Sequence, residues 1–365
     1  MTLTEEDVQR LLTDSSANVR VDMTDRIGGA YNATSLNPRD ALVAEQIFRL
    51  LLRDTELRVR VSLAGYVKDS TQIPSDIVMS LARDVEEVSL PVLQFSQVLT
   101  DKDLIELIQS TGEVSRYLAI SKRPHVSEAV TETLIDKGNN EVTASIVGNQ
   151  GAQISEACYE RIIQTHRTNE TIMQSLSARP RLPLTAVDKM VTIVSSTLAE
   201  KLKAKYKLPG EQIDREVEKA QEKETLNLVR LAAGDEEVDK LVNQLHGFNR
   251  LTPSIILSAL CQGDFDFFEM SLAKLSNVPV ANTRKLIRDR GELGFRAIYN
   301  KSGLSDTMFP AVKLLLKTVH DLHDEGEKPG TNRYSNRVVE ILLQRSEETP
   351  VDNLSYIIAL VRKSV

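Results

Sequence analysis

The chain has 365 residues, 41% of them hydrophobic, enough to fill a packed core and to allow two domains. Aromatics make up only 4% and tryptophan is absent, so leucine, isoleucine, valine and alanine must build the core, as in helical repeats. Residues 1–184 carry the whole excess of the −7 net charge, with 26 acidic and 19 basic side chains against 26 of each in 185–365; this argues against a generic nucleic-acid surface, which needs a basic face to release counterions from phosphate.

Met1 leads into Thr4-Glu5-Glu6-Asp7, an acidic helix start rather than a signal peptide, and no apolar run approaches the roughly 18 residues of a membrane span. A cytoplasmic protein without membrane insertion is expected. Cys158 and Cys261 lie on apolar helical stripes and read as two small buried thiols, not as a disulfide framework or a metal knuckle.

Residues 1–70 read as one or two divergent repeats. A helix is expected over 4–14, and a second starts at Ala17-Asn18-Val19-Arg20; Gly28-Gly29 and Asn37-Pro38 are expected to break the chain before an amphipathic helix from Asp40 to Arg53.

From about Ile73 to Thr185 the chain repeats itself. An apolar residue ahead of a helix start recurs at Ile73-Pro74-Ser75, Leu99-Thr100-Asp101, Val126-Ser127, Ile154-Ser155 and Leu182-Pro183, in steps of 26, 27, 28 and 28. A second marker, beginning at Glu56, Glu87, Glu113, Glu141 and Glu170, keeps the same rhythm. One period gives the unit: Ser155 is an N-cap with an acidic first turn behind it, Ile154 supplies a hydrophobic staple, and a short turn leads to a second helix with a small apolar face. Neither helix can bury its stripe alone, so neighbours must stack, with Val130, Leu134, Ile146, Cys158, Ile162 and Leu176 in one continuous core.

After Leu184 the rhythm stops. A longer helix becomes charged near Glu200, Pro209-Gly210 interrupts it, and Glu211–Lys223 alternates charges around Ile213 and Val217 alone. This segment reads as a solvated helix or a hinge, with an arm that pairs with another chain as the alternative. Beyond Glu236 the chain is helical again but out of register, with three of its eight phenylalanines in Gly263-Asp264-Phe265-Asp266-Phe267-Phe268. Lys328-Pro329-Gly330 breaks it, and the last helices are expected at 333–345 and about 350–362.

The run of Leu81-Ala82-Arg83-Asp84, Pro91-Val92-Leu93, Asp103-Leu104-Ile105, Ala119-Ile120-Ser121 and Gly148-Asn149 resembles a bacterial family of uncharacterised HEAT-like helical repeat proteins. The segment from Gly263-Asp264-Phe265 to Val278-Pro279 is similar to that family's second block. The resemblance covers most of residues 40–310 and implies an all-helical solenoid. It carries no chemistry, because the family bears a domain-of-unknown-function label.

No catalytic constellation stands out: the chain has no glycine-rich phosphate loop, no Gly-x-Ser-x-Gly and no His-Glu-x-x-His. His320 and His323 sit three apart on one helix face, where a metal would need a third ligand from elsewhere. One recurrence is sharper. Ser121-Lys122-Arg123-Pro124 and Ser177-Ala178-Arg179-Pro180 are the same turn 56 residues apart, two periods, so Arg123, Arg179 and Arg181 should align on one edge. Two readings stand: each arginine caps the carbonyls of its own helix, or the three form a ridge for a carboxylate- or phosphate-bearing partner.

These features predict an all-α protein: a HEAT/armadillo-like α-solenoid of helix pairs over residues 1–185, with a period of about 26–29, then a long helix and charged hinge over 186–235 and a non-repetitive helical domain over 236–365. The expected function is a non-catalytic protein-interaction or regulatory scaffold whose partner is another protein. The alternative is a nucleotide or nucleic-acid binder using the arginine ridge, with nucleic acid the weaker option. No cofactor is expected, and self-association through the C-terminal helical region is left open.

Overall fold

The computed structural model describes residues 16–33, 36–206, 210–288, 292–329, 331–348 and 353–363. The chain is all-helical, and among the described residues no strand forms. It divides into two compact units, Met1–Leu182 and Pro183–Val365. The helix expected over 4–14 lies outside the described residues.

The first unit contains α1 (Ala17–Asn32), α2 (Pro38–Leu51), α3 (Leu57–Val67), α4 (Ser75–Ala82), α5 (Glu86–Phe95), α6 (Asp101–Ser110), α7 (Val114–Ser121), α8 (Glu128–Asp136), α9 (Asn140–Gly148), α10 (Glu156–Thr165) and α11 (Glu170–Ser177). The first helices of successive pairs, α4, α6, α8 and α10, start 26, 27 and 28 residues apart. Their caps follow the residues singled out above. Thr100 forms a capping box with Asp103, and Ser127 and Ser155 accept from the backbone of Val130 and Cys158. The second helices α1, α3, α5, α7, α9 and α11 pack in a ladder, each on the next, with first helices behind them. Neighbouring pairs in contact are the arrangement of a helical solenoid. All six residues expected in the continuous core, from Val130 to Leu176, are buried.

One expectation is corrected. Gly28 and Gly29 do not break the chain but lie inside α1. A Cβ on Gly28 would stand 2.5 Å from the Tyr66 ring on α3, so this glycine serves close helix approach rather than a turn.

Side chains tie several second helices to their neighbours. At the N-terminal edge, Asp54 binds Arg20 of α1 at 2.6 Å, while Arg60 of α3 reaches the Asp54 carbonyl and pairs with Asp84 at 2.7 Å. Arg116 of α7 then donates to the carbonyls of Ala82 and Asp84. Those oxygens sit at the C-terminus of α4, where intrahelical donors run out.

The second unit holds α12 (Leu184–Tyr206), α13 (Gly210–Leu231), α14 (Asp235–Gly247), α15 (Pro253–Cys261), α16 (Phe265–Ser276), α17 (Val280–Arg288), α18 (Leu293–Lys301), a 3₁₀ turn at Asp306–Met308, α19 (Phe309–Asp324), α20 (Asn332–Glu348) and α21 (Leu354–Lys363). Its centre is α15, buried from Ile255 through Cys261 and packed on α13, α16, α19 and α21. Phe268, Phe295, Tyr299 and Phe309 form an aromatic cluster with ring centres 5.1–6.5 Å apart. Both cysteines are buried.

Pro209, half of the expected hinge, lies outside the described residues, and α13 begins at Gly210. The helices on either side pack on each other and share a buried polar cluster with α14. Asp188 accepts from Thr225 at 3.0 Å and from Gln244 at 3.1 Å, and pairs with Arg250 at 2.6 Å. Beyond the charged Glu211–Lys223 stretch, where every residue of assigned burial is exposed or half-buried, Leu226, Leu228 and Val229 of α13 enter the core of the unit.

Candidate functional site

The recurring Ser-x-Arg-Pro turns come first. Arg123 is only 8% exposed, and its guanidinium donates to the carbonyls of Leu93 at 2.5 Å and Ser96 at 2.6 Å. Burial pulls its pKa below the ordinary arginine value, with Asp101 opposing that shift. Arg179, two periods on, donates to the carbonyls of Val147 at 2.9 Å, Asn149 at 3.0 Å and Ala152 at 2.7 Å. Each arginine thus caps the preceding second helix of the ladder, α5 or α9, and not its own. Between them, Asn149 does the same for α7, donating to Ser121 O and Arg123 O at 2.8 Å each.

These contacts correct the ridge. Arg123 and Arg179 occupy equivalent positions, but their forks are turned into the molecule onto backbone carbonyls. Arg181 is exposed. A row of three arginines available to a phosphate or carboxylate does not form, and the nucleic-acid alternative loses the donors it was built on. Sequence reasoning missed Asn149 because it reads as a turn residue beside Gly148; its signal was its place midway between the two arginines.

The ladder has a free side. On α3, Val59 and Leu63 face the core, which turns Leu57 and Val61 outward, 37% and 39% exposed. Counting from each N-cap, Leu90 of α5, Leu118 of α7 and Ala144 of α9 stand where Val61 stands on α3, all three half-buried. An apolar strip at one equivalent position therefore crosses adjacent second helices, exposed at Val61 and half-buried at the other three. Beside it, at the N-terminal ends of α5, α7 and α9, Glu86, Glu87, Glu113 and Glu141 are exposed, as is Glu170 at the start of α11. Local physics explains part of that row, since carboxylates favour helix N-termini. Glu113 is also held by Arg116, and Glu86 accepts from Ser115 of α7.

In the second unit, the Gly263-Asp264-Phe265 corner gathers polar groups around α16. Gly263 has φ +86°, and a Cβ there would press on Pro329 and the Tyr334 hydroxyl. Burial pushes the Asp264 carboxyl up to about 6, against the pull of Arg230. Glu269 is buried, binds Arg284 at 2.9 Å and is also raised by burial; Arg284 further pairs with Asp235 and Asp266. His320 stacks on Phe265 at 4.3 Å, and His323 meets the same ring edge-on at 5.7 Å. Burial lowers the His320 pKa. Among the described residues no group of three or more His, Cys, Asp or Glu side chains is placed to hold a metal ion. No helix of the described residues is long and apolar enough to cross a membrane.

No curated protein matches the chain. Among solved structures it is similar to the crystal structure of an engineered protein, 14% identical over 99% of this chain and 97% of that one, with a TM-score of 0.31; a likeness that low carries no argument. The model of a bacterial family matches residues 88–352, from the second helix of one repeat through most of the second unit. The chain belongs to this family, described as an uncharacterised protein conserved in bacteria (DUF2336).

Proposed function

We propose that the first unit is a HEAT-like solenoid and that the protein works as a non-catalytic interaction or regulatory scaffold in the cytoplasm, binding another protein on the free side of the ladder. The observation that supports this reading is the apolar strip through Val61, Leu90 and Leu118. Side chains exposed singly need no explanation, but a row repeated across stacked helices offers one continuous surface. The acidic side chains around it fit a protein partner better than a nucleic acid. Affinity capture from native bacterial extract tests the reading. A partner held by the wild type and lost with Val61→Asp, at unchanged melting temperature, is the expected result. Equal recovery by both proteins would remove the strip from the interaction.

A further inference from the structure

We propose that the occupant of this strip is a basic amphipathic helix lying across the second helices, its leucines on Val61, Leu90 and Leu118 and its lysines or arginines over the glutamate row. The proposal rests on the reading of this face as a protein-binding surface and names the chemistry of the partner.

Spacing carries the first part of the argument. Packed helices stand about 8–10 Å apart, so the three rows present apolar side chains at that interval. A helix rises 1.5 Å per residue, and seven residues advance about 10.5 Å. A partner helix crossing the ladder therefore brings one apolar residue per heptad onto each successive second helix. Three rows span about 20 Å, the length of roughly 14 residues.

Charge carries the second part. On the N-terminal side of the strip, Glu86 and Glu87 on α5 and Glu141 on α9 are exposed, with Glu170 of α11 one helix further on; α3 breaks the row, with Arg58 at the position equivalent to Glu87 and Glu141, where it donates to Asn18 of α1. A partner helix lying on the strip has one flank over this row, and cationic residues there meet complementary charge, while an acidic flank meets like charge. On the opposite edge Lys122 is exposed and Lys68 lies over the Phe95 ring. The partner's cations thus belong on the flank facing the glutamates.

The test uses two fluorescein-labelled helical peptides of about 18 residues, long enough to cross three rows. Both carry leucine at heptad-spaced positions on one face; one has lysines on the flank, the other glutamates. Fluorescence anisotropy against the full chain should show the lysine peptide binding at least about tenfold tighter than the glutamate peptide at about 50 mM salt, with the gap closing at about 300 mM. Val61→Asp should weaken the lysine peptide about tenfold, as should Glu87→Lys with Glu141→Lys, whose exposed side chains leave the melting temperature unchanged. Equal affinity for the two peptides, or no binding of the lysine peptide, would overturn the basic partner while leaving the apolar surface standing. Lysine-peptide binding unaffected by Val61→Asp would overturn both. A dimer seen by light scattering and abolished by Val61→Asp would make a second copy of this chain the occupant, against the proposal.

Discussion

The two units solve the problem of helix ends in different ways. In the first, helix-end carbonyls are met by side chains in, or in the turn just after, a later second helix: Arg116, Arg123, Asn149 and Arg179 each reach back about 30 residues. In the second, the central polar cluster joins Asp188 to Arg250 across 62 residues, and α15 packs on α21, about a hundred residues later. The first unit is thus held by nearest-neighbour contacts and the second by long-range ones. A repeat array of the first kind opens locally, one junction at a time, whereas a closed core of the second kind opens as a whole.

The largest effect should come from the closed unit. Asp188→Ala leaves Arg250 and Gln244 facing a buried void where a carboxylate stood, and should cost about 3–5 kcal/mol. Urea unfolding followed by hydrogen exchange should show α12–α16 losing protection together while the first unit keeps its own. A cost under about 1 kcal/mol would mean that water replaces the carboxylate. The repeat unit should respond more narrowly. Arg123→Ala strips the carbonyls of Leu93 and Ser96 of their donors and should cost about 2–3 kcal/mol, with faster exchange confined to α5 and α7. Arg181→Ala, two residues beyond Arg179 but exposed, should change stability by less than about 0.5 kcal/mol. If the two variants melt alike, the capping assignment is wrong.

A smaller, pH-dependent effect separates the units further. The Asp264 carboxyl has a folded pKa raised to about 6 from an ordinary 3.8. The folded state therefore binds more protons than the unfolded one between those values, and the stability of the second unit should fall as pH rises from about 4 to about 6. Asp264→Asn should flatten that slope, a difference of about 2 kcal/mol at pH 7 relative to pH 4. Thermal melts at pH 4.5, 5.5 and 7 read it directly, and a slope unchanged in the variant would assign it to another group.

The same contrast explains what could be read from the chain beforehand. Helix starts in the repeat were legible because Thr100, Ser127 and Ser155 act within their own turn, and a local device leaves a local signature. The arginine turns were legible as a recurrence but not as caps of another helix, since nothing in Ser121-Lys122-Arg123-Pro124 names a carbonyl 30 residues earlier. Gly28 misled for a related reason: a glycine admits a turn and a close neighbour alike, and only Tyr66 decides between them. In the second unit, Leu226, Leu228 and Val229 follow closely on the charged Glu211–Lys223 stretch, and so short an apolar run at the end of a charged helix gave no periodicity to read. The strip through Val61, Leu90 and Leu118 escaped notice because each residue looks unremarkable in its own helix and becomes a surface only when the helices are aligned.

The turn at Gly151 has a consequence for how the array tolerates added sequence. Val126 and Ala152 form a parallel bridge there, Gln153 donates to Val126 O at 2.8 Å, and a Cβ on Gly151 would sit 1.8 Å from the Pro124 carbonyl oxygen. Two successive loops are pinned backbone to backbone, so this edge fixes the pitch of the array and has no slack. Across the same repeat, Gly138 turns at φ +68° with nothing within 4 Å of the Cβ position. The molecule is therefore one-sided as a scaffold for grafting. Inserted loops, tags or whole domains belong in the Gly138 turn, where extra chain leaves the register of the repeats untouched, while even one added residue at the Gly151 edge would shift every helix that follows in this unit.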